Sequence, residues 1–165
     1  MRFILALLIF TGLTACGFNP MYGERGVSGQ SEVRAGFNSI YIDNIPDFEG
    51  QYLRNALIDR FYSNGRPDRA RYRLTINPIK ETKTDLDITK SSDATRAQLR
   101  LNTSMSLIDR QTNKMLLERK LVSITSYNIL KSQFTTRVSE QNTRQNALDE
   151  LARQIEQQLA LFFKR

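Results

Sequence analysis

Residues 96–107 alternate without a slip: Ala97, Leu99, Leu101, Thr103, Met105 and Leu107 on one side, Arg96, Gln98, Arg100, Asn102, Ser104 and Ser106 on the other. Successive side chains of an extended strand point to opposite faces, whereas a helix would scatter the same residues around its circumference. An alternation this long commits the chain to a sheet with one mostly dry face and one wet face. The wet face leans basic.

Other segments repeat the pattern. In residues 69–76, arginines occupy one side and Ala70, Tyr72, Leu74 and Ile76 the other. Residues 115–127 read as a further strand, blurred around Glu118, Arg119 and Lys120, where a bulge is expected. Ile40 and Ile42 mark a short strand within residues 37–42, and residues 109–113 form a hairpin loop. Residues 77–95 read as a charged connection, with Lys80, Lys83 and Lys90 among Glu81, Asp85, Asp87 and Asp93.

Two helices complete the pattern. Asp47 is placed as an N-cap, Phe48, Tyr52, Leu53, Ala56, Leu57 and Phe61 recur at helical spacing, and Asn64-Gly65 stops the run. Near the C-terminus Leu148, Leu151, Ala152, Ile155, Leu159, Phe162 and Phe163 form one apolar stripe. The fold class that follows is α+β: a two-layer sandwich in which a four-stranded, mostly antiparallel sheet carries two helices on one face, in the order β-α-β-β-β-α. The open polar face is where partners are expected to act.

Composition narrows the chemistry. The chain has no histidine and one cysteine, so the usual triads, histidine-rich zinc sites and internal disulfides are unavailable. No phosphate-cradling glycine loop or nucleophile elbow occurs, and the acidic residues are scattered. No enzyme, no metal and no cofactor are therefore expected. A net charge of +7 calls for an anionic partner.

The address of the protein is written at the N-terminus. After Arg2, residues 3–13 are mostly apolar, too short a run for the roughly 20 residues that cross a bilayer. They read as the core of a secretory signal. Its end, Leu13-Thr14-Ala15-Cys16, resembles the lipobox of bacterial lipoproteins. That resemblance implies cleavage of residues 1–15 and a diacylglycerol on the Cys16 sulfur, with a further acyl chain on its amine. Two or more chains anchor stably where one does not. A chain cleaved there keeps 23 basic against 17 acidic side chains, a net charge of +6. Export argues against a nucleic-acid partner. Gly17, where an Asp would resemble an inner-membrane retention signal, resembles an outer-membrane destination. Residues 16–36, rich in glycine, read as a lipidated cysteine and flexible tether, and residues 37–165 as a single α+β domain.

Beyond the lipobox, Cys16-Gly17-Phe18-Asn19-Pro20-Met21-Tyr22 resembles the opening of the lipopolysaccharide-assembly lipoprotein family LptE, particularly alphaproteobacterial-type members. The strand and helix around residues 40–61, the strand of residues 96–107 entering the Asp109 turn, and the terminal helix agree with that family in pattern. The resemblance implies a lipoprotein on the periplasmic side of the cell outer membrane, seated as plug and assembly factor inside an LptD-type β-barrel partner and binding lipopolysaccharide. Lipid A carries phosphates, which exposed Arg and Lys meet through charge-assisted hydrogen bonds. The candidate lipopolysaccharide-binding residues are Arg71, Arg73, Lys80, Lys83, Lys90, Arg96 and Arg100. A stand-alone lipopolysaccharide- or lipid-binding lipoprotein is the second reading.

Overall fold

The computed structural model describes residues 27–62, 65–67, 69–88 and 94–164. Its elements run α1 (Val27–Phe37), β1 (Ile40–Ile42), α2 (Asp47–Phe61), β2 (Tyr72–Ile76), β3 (Lys80–Ile88), β4 (Ala94–Asp109), β5 (Met115–Asn128) and α3 (Gln133–Phe163). The α+β sandwich of the sequence reading is present, with five strands and three helices among the described residues in place of four and two.

β4 is the axis of the sheet. One edge pairs along its whole length with β5, antiparallel. The other edge is shared: β2 pairs with Met105–Asp109 and β3 with Ala94–Asn102, so the two short strands lie in line. β1 adds to β2 in parallel, a geometry that needs a crossover, which α2 supplies.

β3 corrects the expectation that residues 77–95 are only a connection. Its face toward the helices is charged, Glu81, Lys83 and Asp85, so no apolar alternation announces the strand. Pro78, which has no N–H to give a ladder, interrupts the edge between β2 and β3. Across that interruption the register shifts by one, from Ile76 opposite Met105 to Lys80 opposite Asn102. Even-numbered residues face the helices in β2 and the open side in β3. Inward charges on an edge strand also discourage pairing with another chain.

The core is the dry side of this sheet. Leu74, Ile76, Leu99, Leu101, Met105 and Leu107 meet Leu53, Leu57 and Phe61 of α2 and Leu148, Leu151, Ala152, Ile155 and Leu159 of α3. Phe37 stacks on Phe61 at 4.6 Å between centroids and meets the edge of Phe163 at 6.2 Å, closing one end.

Local details depart from expectation for identifiable reasons. Residues 27–36, expected to end a flexible tether, are helical, because Val33 and Phe37 find the core and Gly36 lets the Phe163 ring approach closely. Pro46 occupies the N-cap of α2, and Asp47 follows at φ 67 without a side-chain cap bond. Asp tolerates that left-handed conformation better than most residues. Phe48 is 74% exposed while Gly50 is buried, so the inner stripe of α2 is Gly50, Leu53, Leu57 and Phe61. The β4–β5 irregularity lies at Leu107/Ile108, opposite Leu117 and Met115, rather than at residues 118–120.

α2 is pinned where β1 ends. Arg54 donates to the carbonyls of Asp43 at 3.2 Å and Ile42 at 3.4 Å, and the Tyr62 hydroxyl donates to that of Ile40 at 2.7 Å. A Cβ on Gly50 would stand 2.7 Å from Cγ2 of Ile45 and 3.0 Å from its backbone carbonyl, which cannot swing away. Gly50→Ala should therefore destabilise the domain by about 1–3 kcal/mol despite the better helix propensity of Ala. Urea unfolding followed by circular dichroism measures this; an unchanged or raised midpoint would refute the close packing.

Candidate functional site

The open face follows from the register. Across β3, β4 and β5 it presents Lys80, Asn102 and Val122 in one row, Thr82, Arg100 and Ile124 in the next, and Leu86, Arg96 and Asn128 further on. Toward β2 come Ser104 with Lys120, then Thr75, Ser106 and Glu118. Where Pro78 breaks the edge, Asn77 bridges to β4: its Nδ2 donates to Oγ of Ser104 at 2.7 Å, and its carbonyl accepts from Thr103 Oγ1 at 2.7 Å. The break leaves a shallow depression of about 360 Å³ whose walls include Pro78, Lys80, Asn102, Ser104, Lys120 and Val122. Two ammonium groups and an exposed valine thus border one hollow. An amphiphile with an anionic head and an apolar body fits that combination.

The predicted cations divide. Lys80, Arg96 and Arg100 are exposed on the open face, and Arg96 donates to Oγ of Ser126 at 3.2 Å. Arg73 is on the same face at β2, its Nε 4.0 Å from Asp43, whose carboxylate already accepts from Thr75 at 2.6 Å. Arg71, just before β2, lies 3.4 Å from Asp109. Lys83 lies apart: the register shift after Pro78 turns it toward α3, where it pairs with Glu140 at 3.2 Å. Lys90 and Cys16 lie outside the described residues. Sequence reasoning missed Lys120, Val122 and Ile124, because only the β4–β5 register sets them beside Ser104, Asn102 and Arg100.

On the opposite face a polar clasp holds the first half of α3. Glu140 accepts from Lys83 at 3.2 Å, Tyr127 at 2.9 Å and Arg144 at 3.0 Å, while Arg144 also grips both carboxylate oxygens of Glu81 at 2.7 and 2.8 Å. Burial pushes the Glu140 carboxyl upward, but the hydrogen bonds from Tyr127 and Lys83 outweigh it and hold it below the usual carboxylate range. The Tyr127 hydroxyl and Glu140 keep Lys83 charged beyond its ordinary range. At the β4–β5 turn, Asp109 is held low, first by the backbone N–H groups of Gln111 and Thr112 and then by Arg71.

A carboxylate whose folded pKa is depressed stabilises the fold fully above its ordinary range and loses that contribution as pH falls through the folded value. Glu140→Gln should accordingly lower the thermal midpoint at pH 7 and flatten its fall between pH 5 and 3. Differential scanning calorimetry across that range reads both; parallel curves for the two proteins would show the clasp to be energetically idle.

Among the described residues, no cluster of three or more His, Cys, Asp or Glu could hold a metal, and no helix is long and apolar enough to cross a membrane.

Comparison with known proteins agrees with this geometry. The profile of the family described as LptE, lipopolysaccharide-assembly, matches residues 37–161. An uncharacterized protein of Rickettsia prowazekii (strain Madrid E) is 25% identical over 165 residues, covering 100% of this chain and 99% of that one. Among solved structures, a Caulobacter crescentus CB15 protein superposes with a TM-score of 0.63 at 21% identity, covering 81% of this chain and 97% of the other. A minor lipoprotein from Acinetobacter baumannii gives 0.61 at 24% identity over 75% and 92% of the two chains. The rare lipoprotein B of Shewanella oneidensis gives 0.58 at 12% identity over 74% and 92%.

Proposed function

The chain belongs to the lipopolysaccharide-assembly family LptE, and from that membership we propose that it is the plug and assembly subunit of an LptD-type β-barrel. It is anchored by acyl chains on Cys16 to the periplasmic side of the outer membrane and helps insert lipopolysaccharide there. The observation that supports this reading is the division of the sheet into two unlike faces. One is sealed by helices, so the domain holds itself together; the other is open, polar and basic. A barrel lumen is polar, and a domain inserted in it needs that kind of wall. The hollow between Lys80 and Lys120, with Val122 beside it and Arg100 one row away, suits a phosphorylated glycolipid.

The second reading, a lipoprotein that carries lipid alone, calls for an enclosed apolar pocket. The hollow at Pro78 and the one between α2 and α3 both have ionisable side chains in their walls, Lys80 and Lys120 in the first and Asp59, Arg60 and Asp149 in the second. That favours the barrel subunit.

The acylated protein purified from native membranes in mild detergent should bring an outer-membrane barrel with it; recovery as a free lipoprotein would reject the assignment. Reversing charge at Lys80, Arg100 and Lys120 together should weaken lipopolysaccharide binding by at least about tenfold while leaving thermal unfolding in place. Binding that survives the triple reversal would move the ligand off this face.

A further inference from the structure

The start of α3 carries a second surface, unlike the open sheet face. The helix is 31 residues long, yet its buried residues begin only at Ala147. Ahead of the clasp at Glu140 the helix projects apolar groups into solvent: Phe134 is 77% exposed and Val138 41%. Being four residues apart, these two stand on one side of the helix. Leu130, 47% exposed, is tied to the same turn, its N–H donating to Thr136 Oγ1 at 2.9 Å and its carbonyl accepting from it at 3.2 Å. Three large apolar groups at one tip are costly to leave in water and mark a contact surface.

The charges around the tip identify what covers it. Lys131 and Arg137 are exposed and enter no ion pair among the described residues. Residues 129–139 contain no acid, and the first acid after them, Glu140, is already occupied by Lys83, Tyr127 and Arg144. An apolar protrusion flanked by two cations that enter no ion pair among the described residues is complementary to a surface with anionic heads above an apolar interior. Phe48 makes the contrast: it is as exposed as Phe134, but it sits between Asp47 and Glu49.

The geometry points to the α3 tip, Leu130, Phe134 and Val138 with Lys131 and Arg137, as a contact for an anionic lipid surface. This contact is separate from the N-terminal anchor. α1, which leads back toward Cys16, packs on the other end of α3, where Gly36 faces the Phe163 ring. Phe163 is 29 residues from Phe134, about 44 Å along a helix rising ~1.5 Å per residue. The inference stands without the barrel reading, since a lipid surface needs no protein partner.

The chain has no tryptophan, so one introduced residue reports its own surroundings. Acyl-anchored full chain bearing Phe134→Trp, or Phe48→Trp as control, is placed in phosphatidylcholine vesicles with or without phosphatidylglycerol. Trp at 134 should shift to the blue and be quenched by brominated lipid when phosphatidylglycerol is present, and Trp at 48 should not. Adding Lys131→Glu or Arg137→Glu should each shift the tip about fivefold toward its unquenched state. The anchor is common to every variant, so it cannot produce the difference. Equal, weak quenching at both positions would overturn the inference while leaving the barrel reading untouched. A blue shift at 134 that appears without lipid and grows with protein concentration would overturn it in favour of a second copy on the patch.

Discussion

The structure depends on one apolar core, the dry row of β4 sealed beneath α2 and α3. Leu99, Leu101, Met105 and Leu107 supply one side and Leu148, Leu151, Ile155 and Leu159 the other, all within a single core cluster. Burying a side chain of that size stabilises by roughly 1.5–3 kcal/mol, so these few residues outweigh every ion pair on the surface. Their burial also sorts the sheet. Once the odd-numbered positions of β4 are committed to the helices, Arg96, Arg100 and Ser104 have nowhere to go but the open side.

The same helix changes character along its length. Its second half is held by packing, its first half by the clasp of Glu81, Lys83, Tyr127, Glu140 and Arg144, and its tip, among the described residues, by local hydrogen bonds at Leu130 and Ser132. Packing is insensitive to pH over the carboxylate range, whereas the clasp is not, because Glu140 must stay ionised to accept from three donors. Stability is therefore graded from the Phe163 end toward the Phe134 end. The exposed apolar groups sit at the weakly held end.

The basic residues gain meaning only from where the sheet puts them. Membership of the LptE family names a context, lipopolysaccharide assembly, and the open face gives it a chemistry: ammonium and guanidinium groups interleaved with Val122 and Ile124. Lys83, similar in sequence setting to Lys80, is spent on holding α3. A count of cations would have treated the two alike.

The alternation of residues 96–107 and the stripe from Leu148 to Phe163 determined the α+β class, the dry face and the helix that covers it, since side-chain periodicity is a local property that needs no partner to be legible. The Asp109 turn was equally local. Tertiary structure alone decided the rest. β3 exists because β4 has an unpaired edge for it, although its own residues carry no strand signal. The one-residue shift at Pro78 decided that Lys80 faces out and Lys83 in. Pairing with β4 decided that Lys120, Val122 and Ile124 join the open face. Strand register is a relation between distant segments, so a single residue's slip reverses which face a side chain takes, and no local pattern in a charged strand records it.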